Sequence, residues 1–333
     1  MEEPVNSPFA VQDGLKCLLL SAIAVGAISA LPTVATAAMP TNPVSDPQFT
    51  RLPNGRDLTS ISVKGSRLYL AKGTGTAFGA SAKAAYAKLK ADSQSNPDHR
   101  VQWVLMDLDG HQVVDMSLAH NRKIFGASSS KPFVGAALLD KQGGDLSSSQ
   151  LQLMSDMIVV SSNTAWTNLQ TQAGGGNSTK GREVVHTFTQ RMGYERTRGF
   201  QGYWGTLHGN ELTAHESAEF LHDTYKGNYP GAETLWKIMH ACRTGSSRGR
   251  KYIPSNIYVG GKTGTYDGPT ENPETGKTKN PDGSSYRVAV RNHLLVFNIG
   301  GRQYALTILA DTGSDESAAV LAGGLIREYL GVK

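Results

Sequence analysis

Ser128 and Lys131 stand three residues apart in Phe125-Gly-Ala-Ser-Ser-Ser-Lys131, and no other lysine in the 333-residue chain has a serine at that offset. A serine hydroxyl becomes a strong nucleophile only when a neighbouring base takes its proton. Residues three apart on a helix project from one face, so the amine can reach the serine oxygen. The spacing predicts a catalytic pair, although a helix N-cap beside a solvated lysine produces the same pattern.

Ser161-Ser-Asn163 is a second segment whose side chains suit this chemistry. In isolation, the tripeptide is typical of a helix N-cap. In a reaction centred on Ser128, the Ser161 hydroxyl would pass a proton to a leaving nitrogen, and Asn163 would bond both the Lys131 side chain and a substrate amide.

Lys262-Thr-Gly-Thr265 is a third segment, predicted at the end of a strand. An ordinary exit from a strand into a turn explains it equally well when it is taken alone. In the catalytic interpretation, Lys262 supplies positive potential, and Thr263 or Thr265 hydrogen-bonds a substrate carboxylate. Gly264 would let the substrate lie against the strand.

The three segments occur in the chain order of penicillin-recognising serine enzymes. From about residue 80 to the end, the chain resembles the class A β-lactamase family and its penicillin-binding relatives. The resemblance rests on Phe125–Lys131, on Met157-Ile-Val-Val-Ser-Ser-Asn-Thr-Ala-Trp-Thr-Asn-Leu169 and on Tyr258-Val-Gly-Gly-Lys-Thr-Gly-Thr265. It implies that family's fold and a covalent acyl-serine mechanism without metal or organic cofactor. Ser128 would be the nucleophile, Lys131 its base or relay, and the backbone amides of Ser128 and Thr265 the oxyanion hole.

Three departures from the family pattern bear on the activity. The family's deacylating glutamate is not found, because the segment 199–209 contains no acid and neither Glu195 nor Glu211, which flank it, can be assigned that role. The separation of Ser128 from Ser161 is about half the usual one, which predicts a reduced α lobe. Ser162 replaces the usual aspartate, as it does in many penicillin-binding relatives.

These departures predict acylation with slow hydrolysis of β-lactams, since each lost acid–base role costs roughly 10²–10⁴-fold in rate. We therefore expect a serine-dependent amide hydrolase that acts on β-lactam or D-alanyl amide bonds. A D,D-peptidase, a non-hydrolytic receptor for β-lactams or cell-wall fragments, and an esterase or D-amino-acid amidase are the alternatives.

The pattern of elements predicts an α+β fold in which an antiparallel five-stranded sheet is flanked by helices from both chain ends and carries an inserted all-α lobe. The predicted strands are Val101–Asp107, Gln112–Ser117, Asn256–Lys262, His293–Ile299 and Gln303–Leu309. The predicted helices are Ala80–Asp92, Ser130–Leu139, Ser148–Val160, Thr164–Gln172, Gly181–Arg191, Thr213–Lys226 and Asp315–Tyr329. The hydrolase domain would span residues 80–333, with its α lobe at about 128–245. Residues 38–79 form a predicted N-terminal arm, and the polar excursion 266–285 is expected to overhang the site.

The first 37 residues predict a secretory signal peptide. Lys16 precedes a 15-residue apolar run, Cys17 to Leu31, and Ala35-Thr-Ala37 offers a small-x-small cleavage pattern. Its loss would raise the formal net charge from +5 to +7, because it removes one lysine and three acids. We expect a secreted or periplasmic monomer that binds a small β-lactam or a peptidoglycan D-alanyl peptide and no nucleic acid. An uncleaved leader would anchor the protein in the membrane.

Two weaker candidates remain from the sequence. His215-Glu216 with His222 resembles a zinc pattern, but the second histidine stands seven positions on rather than four, which favours a solvated helix face. Arg287 and Arg291 are candidates for a substrate carboxylate, with ordinary exposed strand positions as the alternative.

Overall fold

The computed structural model describes residues 47–333. The predicted signal peptide and the beginning of the predicted arm lie outside the described residues. The helices are α1 Pro47–Thr50, α2 Ala80–Ser95, α3 Lys131–Lys141, α4 Ser148–Val159, α5 Asn163–Ala173, α6 Ser178–Arg191, α7 Ala214–Lys226, α8 Ala232–Met239 and α9 Asp315–Leu330. None of the helices between Pro47 and Lys333 combines the length and the apolar character that a membrane crossing requires.

The strands build one five-stranded antiparallel sheet and three two-stranded pairs. They are β1 Ser62–Val63, β2 Ser66–Arg67, β3 Val101–Asp107, β4 Gln112–Met116, β5 Ile124–Phe125, β6 Tyr203–Trp204, β7 Leu207–His208, β8 Glu211–Leu212, β9 Val259–Pro269, β10 Arg287–Ile299 and β11 Arg302–Ala310. The main sheet has the order β4-β3-β11-β10-β9. This confirms the predicted α+β fold with its five-stranded antiparallel sheet.

The central strands are buried because helices cover both faces of the sheet. On one face, α2 and α9 pack together from opposite ends of the chain, over a core that includes Trp103, Leu306 and Leu325. A Cβ on Gly324 would lie 2.2 Å from the Tyr86 ring, so this glycine sets how closely the two helices approach. Each fully buried large apolar side chain contributes about 1.5–3 kcal/mol to such a core.

The helices from α3 to α8 contribute to the second core, which lies against the opposite face. Helix α3 is buried from Lys131 to Leu139 and begins with Pro132 in its first turn. Helix α4 begins with a capping box between Ser147 and Gln150. Helix α8 was not predicted from the sequence. It is only eight residues long and starts after Gly231 at φ +76°, a backbone conformation that few residues other than glycine adopt.

The prediction for β9 was wrong at its C-terminal end. The strand continues from Lys262 through Thr265 to Pro269, and its partner β10 begins six residues earlier than predicted, at Arg287. The polar residues of this extension stay in the sheet because their backbone groups pair in register, with Thr265 opposite Arg291 and Pro269 opposite Arg287. Lys262–Thr265 therefore lies within a long strand rather than at its end.

The described part of the arm packs along the beginning of β9. Ala71 donates its backbone N–H to His240 and accepts a backbone hydrogen bond from Val259, both at 2.9 Å. Leu52, Leu58 and Leu68 of the arm are buried. The arm is thus part of the folded core, and its described part carries the two short strands β1 and β2.

Candidate active site

The predicted nucleophile lies on a short turn between a strand and a buried helix. Strand β5 pairs with β8, and a 3-10 helix, Ala127–Ser130, then leads into α3. Ala127 adopts φ +48°, which is uncommon for a residue with a side chain. Ser129 and Ser130 are fully buried. Ser128, which lies between Ala127 and these two serines, remains partly exposed.

Buried polar side chains hold this turn in place. Asn292 on β10 donates hydrogen bonds to the carbonyls of Phe125, at 2.9 Å, and Gly126, at 3.1 Å. Ser130 donates to Asn210 at 2.6 Å, which ties the turn to the residue preceding β8. Buried hydrogen bonds of this kind restrict the turn to one arrangement, because breaking one leaves an unsatisfied polar group.

Lys131, Ser161, Asn163 and Lys262 are brought together by hydrogen bonds. Lys131 Nζ donates to the Ser161 carbonyl at 2.7 Å, Ser161 Oγ at 3.1 Å and Asn163 Oδ1 at 2.8 Å. Lys262 Nζ donates to the same Ser161 Oγ at 2.9 Å and to the Thr263 carbonyl at 2.8 Å. Ser161 Oγ therefore lies between two lysine amines, as a proton relay requires. Within residues 47–333, the Lys131 side chain makes no hydrogen bond to Ser128, whereas the Lys131 backbone N–H donates to the Ser128 carbonyl.

Both lysines are fully buried, and burial lowers the pKa of each amine. Burial and, secondly, the charge of Lys262 lower the pKa of Lys131 to about 7. Burial also lowers the pKa of Lys262 to about 8, with Cys242 opposing the shift and Arg248 adding to it. A large share of Lys131 is consequently the neutral amine near pH 7, the form that accepts a proton.

The Ser161–Asn163 segment combines a strained residue with a helix cap. Ser161 has φ +61°, and Ser162 caps α5 by accepting a hydrogen bond from Ala165 N at 3.2 Å. The cap expected from the sequence therefore belongs to Ser162, while Ser161 turns towards the lysines. Serine and aspartate are both good N-caps, which explains how a serine stands where the family usually has aspartate.

The side chains of Lys262–Thr265 take different positions. Thr263 is buried and shares a 2.6 Å hydrogen bond with Thr244. Thr265 is exposed, and its Oγ1 accepts a hydrogen bond from Arg248 at 2.9 Å. Of the two threonines, Thr265 is therefore the better placed to meet a substrate carboxylate.

Gly264 has a packing role that the sequence did not indicate. A Cβ at this position would lie 2.4 Å from the Gly126 carbonyl oxygen and 2.8 Å from Ser129 N. The missing side chain thus lets β9 approach the turn that carries Ser128. The predicted contact of Gly264 with substrate stays a prediction.

Arg248 is a site residue that sequence reasoning missed. Its buried guanidinium donates to the Gly264 carbonyl at 3.0 Å and to Asp315 at 2.6 Å, in addition to Thr265. It stands in a loop without a recognisable motif, so only the fold connects it with β9. The candidate Arg291 is engaged elsewhere, because it forms a two-pronged pair with Asp267 at 2.8 Å.

Ser128, Asn163 and Thr265 line one cavity of about 310 Å³. Its other lining residues are Phe125, Ala127, Trp166, Gln201, Gly202, His208, Asn210 and Tyr266. A larger cavity of about 830 Å³ elsewhere in the molecule includes none of the predicted site residues. The predicted nucleophile Ser128 and its neighbours, rather than cavity volume, therefore identify the smaller cavity as the candidate active site.

No aspartate or glutamate lines the 310 Å³ cavity within the described chain. Glu195 borders the larger cavity, and Glu211 is buried on β8 between Lys123 and Arg198, each at 3.3 Å. Burial raises the pKa of Glu211, and these two cations oppose the shift. Among the described residues, Glu271 of the excursion between β9 and β10 is the carboxylate whose charge reaches His208 in the cavity lining, so the missing deacylating glutamate stays a prediction.

His208 is the titratable side chain that the fold adds to this cavity. Its ring stacks on Phe125 at 5.8 Å between centroids. Burial lowers its pKa, with Glu271 opposing the shift and Arg198 adding to it. His208 is therefore neutral near pH 7. No motif marks it in the sequence, because it is one residue of a loop whose course depends on the fold.

The excursion between β9 and β10 reaches the rim of this region. Glu274 accepts hydrogen bonds from Arg196 at 2.8 and 2.9 Å. The negative charge of Glu271 acts to raise the pKa of His208. The excursion thus contacts Arg196, just before the loop 199–209, in agreement with its expected position near the site.

A sequence model of the Beta-lactamase enzyme family matches residues 141–326, which is more than half of the chain. The chain therefore belongs to this family, and the resemblance drawn from its motifs is confirmed. The matched stretch begins after Lys131, so the assignment of Ser128 and Lys131 depends on the geometry described above. A search of curated protein sequences found no match.

Solved structures of class A and other β-lactamases share the fold. An ancestral class A β-lactamase is 20% identical, with a TM-score of 0.52 over 74% of this chain and 99% of that chain. A β-lactamase from Xanthomonas campestris is 17% identical, with a TM-score of 0.55 over 75% and 98%. One from Streptosporangium roseum is 19% identical, with a TM-score of 0.53 over 76% and 99%. At these identities, the likeness establishes the fold alone.

Proposed function

We propose that the protein is an exported serine hydrolase that forms an acyl-enzyme on Ser128 with β-lactam or D-alanyl amide substrates. The observation that carries this proposal is the hydrogen-bonded group of Lys131, Ser161, Asn163 and Lys262 beside the cavity that Ser128 and Thr265 line. A buried amine with a pKa near 7 is the kind of base that activates a serine in this family.

In acylation, Ser128 Oγ attacks the substrate carbonyl carbon while the neutral amine of Lys131 takes the hydroxyl proton. Lys131 bonds Ser161 and Asn163 in the free protein, so this step requires its amine to turn towards Ser128. The carbon–nitrogen bond then breaks, and Ser161 passes a proton from the lysines to the leaving nitrogen. The product is a Ser128 ester; a D-alanyl substrate releases its amine, whereas a β-lactam keeps the amine on its opened ring. Thr265, held by Arg248, binds the substrate carboxylate.

Deacylation is expected to be slow. Water must attack the Ser128 ester, and a carboxylate that would take its proton is absent from the cavity lining in residues 47–333. The neutral imidazole of His208 is the remaining weak base there apart from the lysine relay. Persistent acyl-enzyme also supports the alternatives, a D,D-peptidase or a non-hydrolytic receptor for β-lactams and cell-wall fragments.

Export follows as part of the proposal from the leader pattern over residues 1–37. A secreted or periplasmic location brings the site into contact with peptidoglycan D-alanyl peptides. The basic mature chain also suits contact with anionic wall polymers.

Intact-mass measurement after mixing with a penicillin tests the function. We expect an adduct of the mass of the whole drug on the native protein and none on Ser128→Ala. A lasting adduct identifies a peptidase or receptor, whereas a transient adduct with consumed drug identifies a β-lactamase. A D-alanyl thioester used in parallel extends the test to non-antibiotic substrates. The absence of any Ser128-dependent adduct with either compound would overturn the proposal.

A further inference from the structure

A second cluster of reactive side chains lies where the β3–β4 turn meets α7. His111 Nε2 lies 2.7 Å from Glu219 Oε2, and the His111 ring stacks on His222 with 3.7 Å between centroids. One nitrogen or oxygen atom from each of these three residues falls within 4.8 Å of the others. His215 and Asp223 border the cluster, at 3.9 Å from Glu219 and 3.7 Å from His222.

The cluster leaves a buried imidazole unsatisfied. His222 is only 7% exposed, and its Nδ1 forms no hydrogen bond. A buried polar atom without a partner destabilises the fold, so its retention calls for an explanation. A divalent cation bound by His222 would give this imidazole the partner that it lacks.

The backbone on both sides of the cluster is fixed. Asp109, two residues before His111, accepts two hydrogen bonds from the last turn of α7: its carboxylate Oδ1 accepts from Tyr225 OH at 2.6 Å, and its backbone carbonyl accepts from Lys226 Nζ at 3.2 Å. Its other carboxylate oxygen accepts from Gln303 N at 2.8 Å. The turn is therefore joined to the helix that carries Glu219 and His222. Preorganised ligands of this kind lower the entropic cost of binding a metal.

We propose that His111, Glu219 and His222 form a Zn²⁺ site. Two imidazole nitrogens and one carboxylate oxygen are a donor set that zinc accepts, with bonds of about 2.0–2.2 Å and a fourth position for water. The nitrogen lone pairs of two stacked rings lie in parallel planes and do not point at one position. The His111 side chain therefore rotates when the ion binds, so that its nitrogen can reach the metal. This rotation is cheap because the His111 side chain is half exposed, at 51%.

The site differs from the zinc pattern considered in the sequence. His215 and Glu216 are not the central pair. The helix instead supplies Glu219 and His222, three positions apart on one face, and His111 completes the set from a distant hairpin. Glu219 and His215 also line the 830 Å³ cavity, which gives solvent and ligands access to the ion.

Zinc titration of the untagged protein tests the site. With a chromophoric chelator as competitor, we expect one Zn²⁺ per chain at micromolar affinity or tighter. His111→Ala and Glu219→Gln should each weaken binding by about 10–100-fold or more, since each removes a ligand. His99→Ala is the matched control, because it removes a histidine outside the cluster and should leave the affinity unchanged.

Co²⁺ substitution provides a second measurement, because a site with nitrogen and oxygen ligands of low coordination number gives intense visible absorption. We expect these bands in the native protein and in His99→Ala, and we expect their loss in His111→Ala. Because His111 is half exposed, its replacement leaves the core packing intact. Circular dichroism of each variant checks the fold. Zinc binding that is absent at micromolar concentrations, or equally strong in His111→Ala and Glu219→Gln, would overturn the proposal.

Discussion

The two lysine pKa values predict a narrow pH optimum for acylation. Lys131 must be neutral to accept the Ser128 proton, and its pKa is about 7, so the rate rises with pH through that value. Lys262 must be charged to supply positive potential, and its pKa is about 8, so the rate falls again above that value. The acylation rate is expected to peak at about pH 7.5 and to be roughly sevenfold lower at pH 6 and at pH 9.

Substitution of Lys262 by methionine should change both limbs of this profile. The alkaline limb disappears, because the group that loses its proton there is gone. The acid limb moves to higher pH. The charge of Lys262 is the second cause of the lowered pKa of Lys131, so its removal raises that pKa. Burial is the larger cause and remains, so the upward movement is limited to about one pH unit. The overall rate also falls, since positive potential at the site is lost.

Stopped-flow acylation with a chromogenic cephalosporin, from pH 5 to pH 10, measures these profiles. Thr265→Ala is the matched control, because it should lower the rate while both lysines keep their pKa values and the profile keeps its shape. A native profile that is flat from pH 5.5 to pH 8, or an alkaline limb that persists in Lys262→Met, would refute the assignment of these groups.

Three further substitutions test the packing and the chemistry around the nucleophile. Gly264→Ala brings a Cβ within 2.4 Å of the Gly126 carbonyl oxygen and should cost about 2 kcal/mol or more in urea unfolding. Gly79→Ala, whose Cβ meets no atom within 4 Å, should cost less than about 1 kcal/mol, which is the effect of alanine at the N-cap of α2. Ser162→Ala should cost about 1 kcal/mol through the lost cap, and aspartate there should restore stability; equal stability of all three proteins would contradict the capping role. His208→Ala should lengthen the lifetime of the acyl-enzyme by about tenfold or more, as followed by intact mass, and an unchanged lifetime would exclude His208 as a base.

Much of the fold was predictable because its signals are local. The Asp109-Gly110 turn between two strand-like runs indicated the β3–β4 hairpin, which the structure contains. The long amphipathic helices were placed within a few residues of their observed ends. The extension of β9 beyond Lys262 was missed because backbone pairing with β10, rather than an apolar pattern, keeps those polar residues in a strand.

The site was only partly predictable, since several of its residues act through the fold. The three motifs located Ser128, Ser161 and Lys262, and the hydrogen bonds of Lys131 and Lys262 to Ser161 join all three segments. Arg248 and Asn292 have no motif, and their roles depend on which strand and turn they meet. The same limitation applies to His111, which reaches Glu219 from 108 positions away along the chain.

The contact of Ala71 with β9 affects where the protein can be shortened. A version that began at residue 80, the predicted start of the hydrolase domain, would lack the backbone partners of His240 and Val259. It would also uncover apolar side chains that Leu52, Leu58 and Leu68 now shield. Unpaired strand edges and newly exposed apolar surface promote self-association. Residues 47–79 are therefore expected to limit self-association of the folded domain.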